Sequence, residues 1–250
     1  AADAAPADVM DALSGEKGGV FSFEAQTRDG RALSGALTRS FGAMPLAWGF
    51  MVPGTKYGYL RLISFSAGVP AQVKRELDAL VKAGAQGAVL DLRHNYGGSL
   101  ETLAETLGLF TARPGTLFRA VSRHEGYSKD FSAQKAGPYA GLKLVLLTDS
   151  GTVSRAEVFA ASLREAGRAV TAGGKTPGDV SVTKTFRLSR GGSLRMTVAR
   201  LVTPGGTDLE GKGLSPDIPV ADPLDGEYAF SASFPPALAG ADPVLAAALK

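Results

Sequence analysis

The stretch from Pro70 to Leu92 constrains the fold of this chain more than any other. Over Pro70–Ala83, Val73, Leu77, Leu80 and Val81 fall on an i, i+4, i+7, i+8 stripe, while Lys74, Arg75, Asp78 and Lys82 face away. That spacing predicts an amphipathic helix, and Gly84 stands where a helix stop is expected. Gly87–Leu92 (GAVLDL) follows as a short apolar run, suited to a strand buried in a parallel sheet. The alternation extends on both sides. A strand is expected at Tyr57–Ile63, a helix from about Ser99 to Phe110, strands at Leu117–Val121 and Lys143–Thr148, and a helix over Ser154–Ala166. Alternating strand and helix implies an α/β core with crossover connections. After Arg168 the pattern turns to strands at Ala169–Thr171, Lys184–Leu188 and Leu194–Leu201, with Arg190-Gly191-Gly192 as a turn.

Ahead of this core, residues 9–17 read as a short helix ending at Gly15. Val20–Thr27 and Ala32–Thr38 read as strands joined at Arg28-Asp29-Gly30, an Asp-Gly hairpin signal. Residues 40–56 read as irregular, with Pro45, Pro53 and Gly54 as breakers, and a boundary is expected there. The 250 residues therefore divide into a small segment, 1–40, and a main domain, 41–250, of ordinary size.

Charge excludes some function classes. With 27 Lys plus Arg against 24 Asp plus Glu, the net charge is only +3, which argues against a nucleic-acid partner. There is no cysteine, so thiol catalysis, disulfides and cysteine-based zinc sites are out. Two histidines, His94 and His124, make a multi-histidine metal site improbable, and no cofactor is expected. No run of about 20 apolar residues predicts a transmembrane helix, and Ala1–Asp8 lacks the layout of a signal peptide.

Two glycine-bearing loops follow buried strands, where open α/β sheets tend to place their sites. In Asp91-Leu92-Arg93-His94-Asn95-Tyr96-Gly97-Gly98, paired glycines ahead of a helix let backbone N–H groups approach a ligand; a plain strand-to-helix turn would use them as well. In Asp149-Ser150-Gly151-Thr152-Val153-Ser154-Arg155-Ala156-Glu157, Ser154 sits at a helix N-terminus, where free N–H groups stabilise an anion. Ser154-x-x-Glu157 is equally the pattern of a capping box.

These loops belong to a larger set. Leu90-Asp91-Leu92-Arg93-His94-Asn95-Tyr96-Gly97-Gly98 resembles the LDLRNNPGG segment of the S41 (tail-specific, C-terminal processing) serine peptidases. Gly151–Glu157 (GTVSRAE), followed by Gly167-Arg168-Ala169, resembles their GSASASE and GRA segments. Thr203-Pro204-Gly205-Gly206, then Gly211-Lys212-Gly213-Leu214-Ser215-Pro216-Asp217-Ile218-Pro219-Val220, resembles their closing TPSGxxxxGxGxxPDxxV. Tyr57–Leu62 resembles the strand that leads into their core. The resemblance implies an α/β, crotonase/ClpP-like peptidase core. It makes Ser154 the nucleophile, puts the oxyanion donors at the backbone N–H groups of Gly98 and Arg155, and implies a protein or peptide substrate and an extracytoplasmic, for example periplasmic, location. It also implies that residues 1–40 are a partial PDZ-like module, an unrelated hairpin being the alternative.

The resemblance fails at the base. The family's lysine, in TFGKGSVQ, is matched by Thr176-Pro177-Gly178-Asp179-Val180-Ser181-Val182-Thr183. Asp179 stands at the lysine position, and Thr183 where a supporting glutamine is usual. A serine hydroxyl needs a group to take its proton, and a carboxylate can do so only while repelling the oxyanion beside it. Lys175 and Lys184 are out of register; His94 and His124 are more readily structural than catalytic. Two readings follow: a Ser154 acyl-enzyme peptidase with Asp179 in place of lysine, or a catalytically silent relative that binds peptides or partner proteins.

Overall fold

The computed structural model describes residues 15–26, 30, 32–39, 45–221 and 242–250. The chain forms two compact units, Ala1–Met44 and Pro45–Lys250.

In the first unit, β1 (Val20–Gln26) pairs antiparallel with β2 (Ala32–Thr38), Val20 facing Thr38 and Gln26 facing Ala32. This is the hairpin that the Asp-Gly dipeptide predicts. Gly30 takes φ 84°, a conformation open to glycine, and its carbonyl accepts a hydrogen bond from Gln26 Nε2 at 3.0 Å. The helix expected over residues 9–17 lies mostly outside the described residues; Gly15, Glu16 and Lys17 are not helical.

The second unit is built on a six-stranded sheet in the order β12-β9-β8-β5-β4-β3. Its strands are β3 (Ala47–Met51), β4 (Tyr57–Leu62), β5 (Gly87–Asp91), β8 (Lys143–Thr148), β9 (Ala169–Gly173) and β12 (Ile218–Pro219). All neighbours pair in parallel except edge strand β3, which runs antiparallel to β4. Every residue of β5 is buried, as a strand covered on both faces requires. Leu60, Leu62 and Leu90 point to one face, into the main core with Leu103, Phe110 and Phe159. Tyr59, Val89 and Leu147 point to the other, against Val244 and Leu245.

Helix α1 (Val69–Lys82) covers one face through Val69, Val73, Leu77 and Leu80. Each such side chain contributes about 1.5–3 kcal/mol on burial. Val81 was expected on this stripe but is 46% exposed: the helix begins one residue early, at Val69, and its contact line runs through positions 69, 73, 77 and 80, leaving 81 on the rim. Helices α2 (Leu100–Gly108) and α3 (Arg155–Glu165) complete this layer, and α4 (Pro243–Ala248) lies on the opposite face.

A second, antiparallel sheet runs β10-β11-β6-β7, from β6 (Gly115–Val121), β7 (Lys129–Ala133), β10 (Ser181–Arg187) and β11 (Ser193–Val202). Strand β11 pairs with β10 over Ser193–Arg200 but with β6 only over Arg200–Val202. The outer part of β10 and β11 is thus a two-stranded arm.

The stretch 40–56, read as irregular, contains strand β3. Its prolines, Pro45 and Pro53, flank the strand rather than interrupt it, and Trp48 and Phe50 stack near Tyr59 of β4 (Phe50–Tyr59 centroids 5.0 Å apart). Strand β7 and helix α4 also escaped the sequence reading.

Candidate active site

The loop after β5 is organised by a buried charge cluster. Asp91 is fully buried and takes ion pairs from Arg61 Nη1 at 2.8 Å and Arg93 Nη2 at 2.7 Å. Tyr59 Oη donates to it at 2.6 Å, and the Arg93 backbone N–H at 3.0 Å. Burial alone would raise the Asp91 pKa; Arg61 and then Arg93 outweigh it and hold the carboxyl well below the usual range. Arg93 extends the cluster to Asp242, 2.6 Å away, and Asp242 caps α4 by accepting from Val244 N and Leu245 N. The last helix is thereby tied to the strand that leads into the loop.

Side chains stitch the two glycine-bearing loops together. The His94 backbone N–H donates to Asp149 Oδ1 at 3.0 Å, Thr152 Oγ1 donates to the Leu92 carbonyl at 3.0 Å, and Val153 N–H donates to the Asn95 carbonyl at 3.0 Å. Asn95 is buried; its Nδ2 donates to the Leu62 carbonyl and its Oδ1 accepts from Gly97 N. The glycines are required sterically. A Cβ on Gly98, at φ 154°, would run into the Phe65 backbone. A Cβ on Gly97, at φ 86°, would lie 3.0 Å from both Arg155 N and Ser154 Cβ. Gly97 is therefore packed against Ser154, and Gly98 follows it.

Ser154 is one of two described non-glycine residues with positive φ (62°, with ψ −122°), His94 being the other (54°). Such backbone costs about 1–3 kcal/mol and turns the chain sharply from β8 into α3. In the Ser154-x-x-Glu157 capping box, Glu157 Oε1 accepts from Ser154 N at 3.2 Å, and Glu157 N–H also donates to the Ser154 carbonyl. Arg155 Nη1 donates to Ser154 Oγ at 2.7 Å. Neither Gly98 N–H nor Arg155 N–H makes a hydrogen bond among the described residues. Both stay available to a ligand oxygen.

Glu157 does more than take part in the cap. Fully buried, it accepts from Thr176 Oγ1, from Gly178 N at 2.7 Å and from Asp179 N at 2.8 Å. Burial pushes its pKa up, and the bonds from Thr176, Gly178, Asp179 and Ser154 partly oppose that. One carboxylate thus straps the 176–179 loop to the N-terminus of α3. That strap brings Asp179 beside the start of the helix. The Asp179 side chain is exposed, and its charge acts on Arg155, whose pKa is lowered by burial and partly restored by Asp179.

The structure therefore gathers Ser154, Arg155, the Gly97–Gly98 turn and the Asp179 backbone in one place. Other candidates lie elsewhere. His94 Nε2 is 3.0 Å from Asp149 Oδ2, and its ring covers Gly151. His124 Nδ1 accepts from Gly126 N in a 3-10 turn. Lys184 Nζ lies over the Tyr127 and Phe186 rings. Lys175 is exposed, and Thr183 accepts from Arg195 on the arm. Two participants escaped the sequence reading: the guanidinium of Arg155 and the strap made by Glu157. The first had a signal, an arginine directly after the serine where GSASASE has alanine.

Comparison with known proteins matches this geometry to a family. The profile of Peptidase family S41 matches residues 56–220. The carboxyl-terminal-processing protease of Synechocystis sp. is 36% identical over 172 residues, covering 69% of this chain and 40% of that protein. The chloroplastic C-terminal processing peptidase of Tetradesmus obliquus is 33% identical over 161 residues, covering 64% and 34%. The structure of the photosystem II D1 C-terminal processing protease superposes with TM-score 0.64 at 26% identity, covering 83% of this chain and 57% of that one. The chain thus spans well under two thirds of each relative. Profile, relatives and structure agree: this chain belongs to peptidase family S41.

Proposed function

We propose that this chain holds an extended protein or peptide segment, such as a protein C-terminus, in an S41 cleft without cleaving it. The observation that carries this reading is the hydrogen bond from Arg155 Nη1 to Ser154 Oγ. A guanidinium has donors only and does not deprotonate in a protein, so it cannot take the serine proton. No lysine stands at the matching position, and the Asp179 found there is exposed. Loss of a member of such a catalytic unit costs several orders of magnitude in rate.

A second reading is a slow C-terminal processing peptidase. It is favoured by the positive φ of Ser154 and by the unengaged N–H groups of Gly98 and Arg155. In that reaction Ser154 Oγ attacks the scissile carbonyl, Asp179 receives its proton, and the two N–H groups bind the oxyanion. The cost is the Asp179 charge near that oxyanion. The same family reading supports a crotonase/ClpP-like description of residues 41–250, a partial PDZ-like module in residues 1–40, and action outside the cytoplasm.

A fluorophosphonate probe separates the two readings. The parent chain should remain unlabelled, and Arg155→Ala combined with Asp179→Lys should label. Labelling of the parent that disappears in Ser154→Ala would overturn the binding-only reading in favour of the peptidase.

A further inference from the structure

Between Asp179 and Asp208 the chain has five basic residues and no acidic one. Arg200 pairs with Asp208 at 2.9 Å. The other four, Lys184, Arg187, Arg190 and Arg195, lie on the exposed β10–β11 arm, and none has an ion-pair partner among the described residues. The cross-strand register sorts the arm into two faces. Lys184 faces Met196 and Phe186 faces Leu194 on one; Thr185 faces Arg195 and Arg187 faces Ser193 on the other. Leu188, two residues beyond Phe186, continues the first face towards the Gly191–Gly192 tip.

At its root this first face lies on the core, where Val182 is opposite Ala199. Further out the core ends and the apolar side chains continue into solvent. Leu188 is 50% exposed, Leu194 49% and Met196 48%. The arm is an amphipathic ribbon that overhangs its own core, apolar on one face except for Lys184 near its root, and cationic on the other face and at the tip.

We propose that this arm docks the protein on an anionic lipid surface, Leu188, Leu194 and Met196 entering the interface while the four cations meet headgroup phosphates. Four to eight clustered cations beside an apolar face suit anionic lipid. Lys184 lies over Tyr127 and Phe186 at 5.1 and 5.6 Å, and tyrosine is a ring of the amphipathic kind that settles at headgroup level. Size decides against a folded acidic protein. Five paired residues give a face roughly 17 Å long and about 10 Å wide, far below the ~800 Å² per partner of a stable protein interface. A bilayer needs no such complementary area.

The test is flotation of the full chain with vesicles of phosphatidylglycerol and phosphatidylcholine, against phosphatidylcholine alone. Binding should require the anionic lipid and fall with salt. Arg187→Glu with Arg190→Glu, and separately Leu188→Ser with Leu194→Ser, should each weaken it by at least about tenfold. The chain has no cysteine, so an environment-sensitive dye on Ser189→Cys reports the tip alone and should shift to the blue on anionic vesicles, which reads insertion without altering the arm's charge or apolar face. Equal binding to neutral vesicles, no binding to either, or binding that survives both double substitutions would overturn the proposal. So would a dye whose emission does not change.

Discussion

The loop from Asp91 to Gly98 and the loop from Thr176 to Val180 both border the start of α3, yet they differ in what holds them. In the first, side chains of the loop do the work: Asp91, Arg93 and Asn95 are buried and bonded, and Gly97 and Gly98 are fixed by close packing. In the second, the backbone is held from outside by Glu157 and by Glu210, which accepts from Val180 N at 3.1 Å, while Asp179 points into solvent. A loop whose side chains build its shape cannot change them cheaply. A loop held by its backbone N–H groups can exchange a side chain and keep its path. On this ground the second loop should tolerate exchange at position 179 more readily than the first tolerates exchange at Asp91, Arg93 or Gly98.

The sharpest way to break that contrast is Arg93→Ala. It takes the cation from the buried Asp242 carboxylate and leaves Asp91 with Arg61 as its remaining cation, and should cost about 3–5 kcal/mol, read as a lowered urea midpoint. A loss below 1 kcal/mol would show that the cluster does not hold the first loop. Glu157→Ala comes next. It leaves the Thr176, Gly178 and Asp179 donors without their acceptor and should cost about 2–3 kcal/mol, with faster amide exchange at Gly178 and Asp179; unchanged exchange there would contradict the strap.

Acid titration sharpens the same point. The folded Asp91 pKa is depressed, so its contribution is present above the ordinary carboxylate value near 4 and is lost as pH falls below it towards the folded pKa. Asp91→Asn should flatten the stability–pH slope below about pH 4, and an unaltered slope would remove Asp91 as its source. The smallest effect is expected at the exposed base position: Asp179→Ala should stay within about 0.5 kcal/mol of the parent, and a larger loss would make that side chain part of the scaffold.

Much of the fold was legible because period survives in local sequence. Helix α1, strands β4, β5 and β8, and the β1–β2 hairpin follow from side-chain spacing and one Asp-Gly turn. Strand β3 was not legible, since prolines beside a strand and prolines inside one look alike until the pairing partner is known. Helix α4 is six residues long and depends on Asp242 and the sheet face beneath it rather than on its own pattern.

At the site, the sequence by itself singled out the candidates: a serine at a helix start, two glycines after a buried strand, and an aspartate in the segment that resembles the family's lysine motif. These are matters of residue type and order, which the chain states directly. Only the tertiary structure decided that the Arg155 side chain bonds Ser154 Oγ, that Glu157 reaches some 20 residues along the chain to hold the Asp179 backbone, and that Arg93 pairs with Asp242, 149 positions away. Such contacts depend on rotamers and on strands meeting across a sheet, and sequence spacing carries no record of either.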